Sequence, residues 1–444
     1  MRVLLRRLDT RIAKILQSML RSFKHGSYRQ QVAILVSGTA AAQVLPIAAS
    51  PILTRLYEPE DFGVLAIFAS VASILISVSS AQYDQAITLP EKDEDAATIV
   101  SLCIRICGIF SLLLLLLVLL FNHTLAQWIG HPEIASWLYL IPFSVFASGL
   151  FSTFTFWCNR RAAYGHIAKQ TFQLSAVTVT SSIALGFASI AGGQIIGVTL
   201  GRISSAFCMM RVVYKTDKKI LILGFRTKVL PLAKRYIAHP TYFTPSRLIN
   251  TFALQIPVLM ISNLFLISTV GFFSIAYKLV ALPTSIIANA IGNVYRQKIS
   301  ESYNEHGHYR HIYKRTLLIT ILASIIPFTA LYLFAPFLFA VVFGEEWRVA
   351  GDYAQILVVS TFFSFITTPL NKGAIVVGAK RYDLAWNIGR FSCFSALWLL
   401  GYSFKLSIDV VLWIFVCANI CLYLIDAVYQ YKLSGGSSNN PNPA

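Results

Sequence analysis

Apolar residues run along this chain in long continuous stretches, and short polar segments separate them. A helix crosses a bilayer with about 20 mostly apolar residues, and about twelve stretches approach that length. The predicted spans are residues 32–53, 62–83, 97–121, 135–157, 168–190, 193–214, 241–265, 270–295, 313–342, 350–372, 385–403 and 407–431. The stretches do not alternate between polar and apolar positions, so the ~10-residue strands of a membrane β-barrel are excluded. The pattern predicts an all-α integral membrane protein with about 12 transmembrane helices.

The amino-acid composition agrees with this class. Of 444 residues, 56% are hydrophobic and 13% are charged, whereas a soluble protein carries roughly 25% charged residues. The seven cysteines lie in or beside predicted spans, which indicates packing rather than a disulfide framework. The sequence contains no P-loop and no HExxH motif. We therefore predict a protein that is not an enzyme and that has no catalytic residues, no cofactor and no metal site.

Basic residues give the chain a formal net charge of +18 and fall mostly on one side of the predicted membrane. With the N-terminus in the cytoplasm, the outside loops hold only Arg55, Arg348 and Lys405 among the basic residues. Positive loops concentrate on the cytoplasmic side of membrane proteins. We therefore predict that both termini are cytoplasmic. Most of the excess charge then fixes topology, and no nucleic-acid partner is expected.

A basic linker divides the spans into two sets of six. Gln43-Val-Leu-Pro46 in the first span has a weak counterpart in Gln255-Ile-Pro257 of the seventh, and Phe62-Gly63 has one in Val270-Gly271. Two related halves are a common plan among transporters. The predicted divisions are a basic amphipathic N-terminal segment (1–29), an N-lobe (30–214), the cytoplasmic linker (215–240), a C-lobe (241–433) and a disordered tail (434–444).

Six cationic side chains lie inside the predicted spans with few acidic residues near them. They are Arg105, Arg202, Arg247, Lys278, Lys372 and Arg390. A charge in hydrocarbon costs about 3 kcal/mol or more, so each needs a polar cavity, a partner or a ligand. Arg390 and Lys372 lie close enough to span ends to snorkel to the headgroups. Arg202, Arg247 and Lys278, followed by Arg105, are the strongest candidates for binding an anionic substrate.

Polar residues on single helix faces support a shared cavity. Lys278, Ser285, Asn289 and Gly292 fall on one face of the eighth span, and other spans carry similar stripes. Lipid cannot satisfy such groups. The pattern therefore favours two six-helix lobes around a central cationic cavity, with Asn289 among its binding residues. Hydrogen bonding between neighbouring helices is the alternative explanation.

Acidic residues are scarce within the spans. Asp84 and Asp426 lie near span ends, and they are the best candidates for coupling transport to protons. Structural pairing with a partner is the favoured alternative for both residues.

Four short segments of the chain carry a family resemblance. They are residues 38–43 (GTAAAQ), 53–63 (LTRLYEPEDFG), 82–90 (QYDQAITLP) and 271–277 (GFFSIAY). Together with the number of spans, they resemble the polysaccharide transporters of the multidrug/oligosaccharidyl-lipid/polysaccharide exporter superfamily, and among these the O-antigen (Wzx-type) flippases.

This resemblance implies a flippase that moves undecaprenyl-pyrophosphate-linked oligosaccharide across the bacterial inner membrane by alternating access. It also implies membrane lipids and polysaccharide polymerase machinery as partners, and it adds Arg55 to the binding candidates. Guanidinium groups pair well with phosphate, which suits the embedded arginines to a pyrophosphate. Three alternatives remain: a multidrug or cation antiporter of the same superfamily, an integral-membrane polysaccharide polymerase or ligase, and a structural scaffold.

Overall fold

The computed structural model describes residues 28–436, which are almost entirely helical. Most of the predicted N-terminal segment (1–29) and most of the predicted tail (434–444) lie outside this range. The long helices are α1 (Tyr28–Leu56), α2 (Pro59–Val78), α3 (Asp93–Ile129), α4 (Ile141–Arg160), α5 (Tyr164–Phe187), α6 (Gly193–Arg226), α7 (Thr244–Leu264), α8 (Ile267–His306), α9 (Arg310–Phe343), α10 (Arg348–Leu370), α11 (Lys380–Phe404) and α12 (Ile408–Ser434). Each long helix overlaps one predicted span, and the predicted all-α membrane fold is confirmed.

Several helix ends differ clearly from the predicted span ends. Helix α8 continues to His306 and α3 to Ile129, past the predicted ends at 295 and 121. Helix α2 stops at Val78, because Ala81 and Gln82 adopt left-handed backbone angles (φ 49° and 57°) that end the helix. Helix α6 continues to Arg226 with a break at Asp217 (φ −123°, ψ 25°). The extension beyond the break is the first part of the predicted basic linker.

The helices divide by hydropathy into two groups. Eight are long and apolar enough to cross a membrane by length and composition alone: α2, α3, α4, α6, α8, α9, α10 with the short helices that flank it, and α12. Helix α1 contains the apolar run 32–49, and α5, α7 and α11 are long but less apolar.

Helices α1 to α6 pack mainly against each other, and helices α7 to α12 do the same. The two sets meet chiefly where α2 crosses α7 and α8. Several of these contacts lie at one end of the bundle, which the charge distribution assigns to the outside and which we call the outer end. There the His131 Nε2 atom lies 2.6 Å from the carbonyl oxygen of Ser262, and the Trp347 indole donates to the carbonyl oxygen of Thr54 (3.3 Å).

Two glycines allow the closest approach at the outer end. A Cβ atom on Gly63 of α2 would collide with the carbonyl oxygen of Ile267, and one on Gly271 of α8 would collide with that of Pro59. Backbone therefore packs directly on backbone at this crossing. Trp347, which is 1% exposed, packs edge-on against Phe62 beside it (4.9 Å between ring centroids). The outer ends of the two halves are closed against each other.

Candidate functional site

Helix α8 carries the polar face that the sequence predicts. Lys278 is exposed and lies two turns, roughly 10 Å, along the helix from the Gly271 crossing. Pro283 and a wide π-helical turn over Thr284–Ala288 follow it. Asn289, also exposed, donates through Nδ2 to the carbonyl oxygen of Ser285 (2.9 Å). The face therefore presents an ammonium group and free polar atoms just inward of the closed outer end.

Helix α11 brings a second cation toward this face. The helix begins at Lys380, so Arg390 lies about ten residues, roughly 15 Å, from that end and deeper than the predicted span boundary implied. Its guanidinium lies 5.5 Å from the ring centroid of Phe394. It also interacts electrostatically with Tyr277, the neighbour of Lys278. Arg390 therefore lies within electrostatic range of α8 at Tyr277, on a helix that packs against α7 through Phe391 and Phe252 (5.9 Å between ring centroids).

Arg202 lies on α6 in the other half of the molecule and is partly buried. Its Nη1 atom is buried without a hydrogen-bond partner. The preceding residue, Gly201, packs against Leu174 and Thr178 of α5, where a Cβ atom would collide with the threonine hydroxyl. This close helix contact leaves no room for a side chain at Gly201. Arg202, next to it, is a cation without an acidic partner among the described residues.

The other predicted binding cations are exposed and lie elsewhere. Arg247 is near the start of α7, the helix whose Phe252 packs on Phe391 of α11. Arg105 of α3 donates through Nη2 to the carbonyl oxygen of Phe225 on α6 (3.0 Å). Arg55 donates through Nη1 to the carbonyl oxygen of Pro51 on its own helix (3.0 Å). Arg105 and Arg55 are therefore held by contacts within the first half of the molecule.

None of the predicted binding cations forms a salt bridge within residues 28–436. The ion pairs between these residues involve other groups: Arg160 and Arg161 with Asp93, Arg161 with Asp217, Arg348 with Glu345, and two histidine–glutamate pairs. In the same part of the chain no cluster of three or more His, Cys, Asp or Glu side chains is placed to hold a metal ion. The positive charge on the embedded positions is uncompensated.

The two predicted coupling acids are buried, and neutral groups surround them. Ser152 Oγ donates to Asp84 Oδ2 (2.6 Å). The Tyr382 hydroxyl donates to Asp426 Oδ1 (2.7 Å), and Gln430 Nε2 donates to the same oxygen (3.2 Å). Neither acid takes part in an ion pair among the described residues. Their hydrogen bonds hold them in place without a cation.

A packing contact between the first half and the linker was not predicted from the sequence. His239, 7% exposed, stacks on Tyr83 (6.2 Å between ring centroids), and the Tyr83 hydroxyl donates to the carbonyl oxygen of Ala233 (3.0 Å). The His239 ring also lies close enough to the backbone of Gln82 and to Asp84 to interact with both. A lone histidine beside a basic cluster gives no sequence signal for this contact.

The fold and the site together define a class of protein: a multi-pass α-helical membrane protein with a transporter fold. Two solved structures share the fold. One is the lipid II flippase MurJ in an inward closed conformation, with a TM-score of 0.74, 12% identity and 90% of each chain covered. The other is an inward-facing multidrug resistance MATE family transporter of the MOP superfamily, with a TM-score of 0.66, 14% identity, and 88% of this chain and 94% of that chain covered.

The family follows from the sequence match. The family model described as "Polysaccharide biosynthesis protein" matches residues 52–352, and the chain belongs to that family. It is also similar to the succinoglycan biosynthesis transport protein ExoT of Rhizobium meliloti (strain 1021), with 22% identity over 324 residues. The match covers 70% of this chain and 61% of ExoT, so it spans less than two thirds of that relative.

Proposed function

We propose that this protein is a flippase for lipid-linked oligosaccharide. Its substrate would be an undecaprenyl-pyrophosphate-linked repeat unit of O-antigen or a related surface polysaccharide, moved across the bacterial inner membrane by alternating access. Membership of a polysaccharide biosynthesis family supports this role, as does the similarity to ExoT, a succinoglycan transport protein. The fold shared with the lipid II flippase MurJ agrees with it.

The uncompensated embedded cations carry the proposal. Arg202 has a buried nitrogen with no partner, and neither Lys278 nor Arg390 forms a salt bridge among the described residues. A buried charge without a partner is energetically costly. A protein can retain such a charge when a bound ligand supplies the opposite charge. A pyrophosphate is a dense anion, and guanidinium groups bind phosphate in a bidentate geometry.

The substrate has an anionic pyrophosphate, polar sugars and an apolar polyprenyl tail, and each part would contact a different region. Arg202, Lys278 and Arg390 would hold the pyrophosphate, and Asn289 and Ser285 would hydrogen-bond the sugars. The polyprenyl tail would stay in the lipid. Arg247, Arg105 and Arg55 would then act as further sites along the path or as headgroup anchors.

Alternating access would require the closed outer end to open while the opposite end closes. The π-helical turn at Thr284–Ala288 follows Pro283 on α8, and such turns are frequent at functional sites and bends. Bending there would move the outer part of α8, with Gly271 and Lys278, relative to its inner part. The cationic side chains that hold the substrate would then face the other side of the membrane.

A cation exporter of the same fold is the main competing function. It would need exposed acids to bind its substrate, whereas Asp84 and Asp426 are buried at 6% and 5% exposure. A polymerase or ligase would need room for a reaction outside the membrane. The described connections at the outer end are short, the longest running from Gly130 to Leu140. Both observations favour the flippase.

Charge-removing variants expressed in a bacterium that lacks its own flippase test the proposal. Arg202→Gln, Lys278→Gln and Arg390→Gln should each lower surface polysaccharide about ten-fold or more, because a hydrogen bond to a charged group contributes about 1.5–3 kcal/mol. Lys298→Gln is the matched control, since Lys298 is exposed on the same helix as Lys278. Normal export by all three variants at wild-type protein levels would contradict the proposal, and cation efflux that survives them would favour the antiporter.

Coupling to protons would use the buried acids. Asp84→Asn and Asp426→Asn keep the shape and most hydrogen-bonding capacity of each site but cannot take up a proton. If either acid couples transport, export by its variant should no longer respond to an imposed pH gradient. An unchanged response in both variants assigns the acids to structure alone.

A further inference from the structure

The break in α6 creates an apolar pocket on the first half of the molecule. Met210 and Tyr214 before the break face Ile222 and Phe225 after it, and Ile104 of α3 and Phe154 of α4 complete the lining. The pocket has a volume of about 210 Å³. No residue of α7 to α12 lines it, so it is separate from the region where the two halves meet.

Buried polar contacts fix the shape of this pocket. The Trp157 indole donates to Asp217 Oδ2 at the break (3.0 Å). Arg161 pairs with the other oxygen of Asp217 (3.2 Å) and also with Asp93 at the start of α3 (2.8 Å). The break is therefore held by α4 and α3 together, and the pocket between these helices is preformed.

Cations stand at the rim of the pocket. Arg105 donates to the carbonyl oxygen of Phe225, a lining residue (3.0 Å), and the remaining nitrogens of its exposed guanidinium are free of salt bridges among the described residues. The Lys218 ammonium lies 5.4 Å from the ring centroid of Tyr214, another lining residue. Lys215 and Lys219 are exposed next to it. Asp217 beside these lysines is already paired with Arg161.

We propose that this pocket binds one anionic phospholipid of the cytoplasmic leaflet. An acyl chain would lie among the apolar side chains, and the phosphate would lie between Arg105 and Lys218. Charge complementarity selects this occupant: the rim is cationic, and the predicted topology puts it at the level of the cytoplasmic headgroups, where basic pockets between helices bind anionic lipids. The proposal does not depend on the transport function, because the pocket lies apart from Lys278 and Arg390.

Native mass spectrometry of the purified full chain tests the site. Phosphatidylglycerol and phosphatidylcholine with the same acyl chains are the probes. Arg105→Gln and Lys218→Gln should each weaken phosphatidylglycerol binding about five-fold, and together about 25-fold, since each basic residue near a charged lipid contributes about 1 kcal/mol. Ile222→Trp, which fills the pocket, should reduce the retention of phosphatidylglycerol with both cations in place.

Lys228→Gln together with Lys234→Gln is the matched control. It removes two exposed charges from the same linker but none from the pocket rim, and phosphatidylglycerol binding should stay at the wild-type level. An equal loss in this control, or equal binding of phosphatidylcholine and phosphatidylglycerol by the wild type, would overturn the proposal. So would a strong preference for undecaprenyl phosphate over phosphatidylglycerol, which would assign the pocket to the transported lipid. Elution of all variants as a single species shows that they are folded.

Discussion

Gly63 and Gly271 occupy equivalent places in a reciprocal contact between the two halves. The carbonyl group that faces Gly63 belongs to Ile267, four residues before Gly271, and the carbonyl group that faces Gly271 belongs to Pro59, four residues before Gly63. Pro59 and Ile267 are also the first residues of α2 and α8. The crossing therefore has an approximate two-fold symmetry, with one copy of the glycine contributed by each half.

Gly63→Ala and Gly271→Ala should separate the outer ends of the two halves. Each added methyl group would collide with a backbone carbonyl oxygen, which cannot rotate away as a side chain can. Spin labels at Trp128 and Leu266, both strongly exposed, would measure the separation in a cysteine-free background. We expect longer distances in both variants. Gly389→Ala, at a helical glycine with open space around it, should leave the distances unchanged, and a similar shift there would contradict the interpretation.

Trp347 should be a main contributor to the stability of the closed outer end. Its ring packs between Phe62 and Phe272, and its indole bonds Thr54. Trp347→Ala should lower the free energy of unfolding by about 3–5 kcal/mol, as large-to-small changes of buried aromatic residues do. Trp128→Ala, at a tryptophan that is 78% exposed, should change it little. Thermal unfolding of both variants in the same detergent would show whether Trp347→Ala is the less stable of the two.

Arg202→Met should stabilise the protein while it abolishes export. The methionine side chain is apolar and removes a buried, unpaired nitrogen, whose desolvation costs about 1–3 kcal/mol. Arg161→Met should do the opposite and lower stability, because it leaves Asp93 and Asp217 without their shared partner. A fall in the melting temperature of Arg202→Met would show that Arg202 has a structural partner and would argue against its role in binding an anion.

The packing contact at His239 should become less stable in acid. Burial holds the pKa of this imidazole below its ordinary value of 6.5, an effect partly offset by the backbone of Gln82 and by Asp84. A lowered pKa in the folded state means that the contact is fully stable above pH 6.5 and loses stability as the pH falls through the folded pKa. Tyr83 and Tyr236 also face the ring.

Thermal unfolding at about pH 5 and about pH 7.5 would measure this effect. His239→Phe keeps the ring stack and should reduce the difference between the two pH values. His166→Gln, at an exposed histidine, should leave the difference as it is in the wild type. Equal pH dependence in His239→Phe and the wild type would assign the acid sensitivity to other groups.

The sequence predicted the helices well because bilayer thickness sets their length and composition, both of which are local properties. It failed at Val78, where the helix end depends on the backbone angles of Ala81 and Gln82. It placed the end of the sixth span at residue 214, close to the break at Asp217, but it did not predict that the helix continues to Arg226. Tertiary contacts of Asp217 with Trp157 and Arg161 hold this break.

The candidate site was predicted less completely. The residue types and the face that carries Lys278 and Asn289 could be read from helical spacing. The proximity of Arg390 to Tyr277 could not, because it depends on how α11 packs and where that helix begins. The placement of Arg105 against Phe225, a residue 120 positions away, likewise depends on tertiary packing and on the break in α6.

Three less apolar helices have a consequence for how the protein enters the membrane. Helices α5, α7 and α11 would partition poorly into a bilayer one at a time, because insertion depends on the hydrophobicity of each segment. Each is followed at once by a helix that is apolar enough to cross a membrane, namely α6, α8 and α12. We expect these pairs to leave the translocation machinery as hairpins, with the second helix retaining the first. Biogenesis would then proceed in helical pairs. A polar substitution in the second helix of a pair would leave the first helix of that pair outside the membrane.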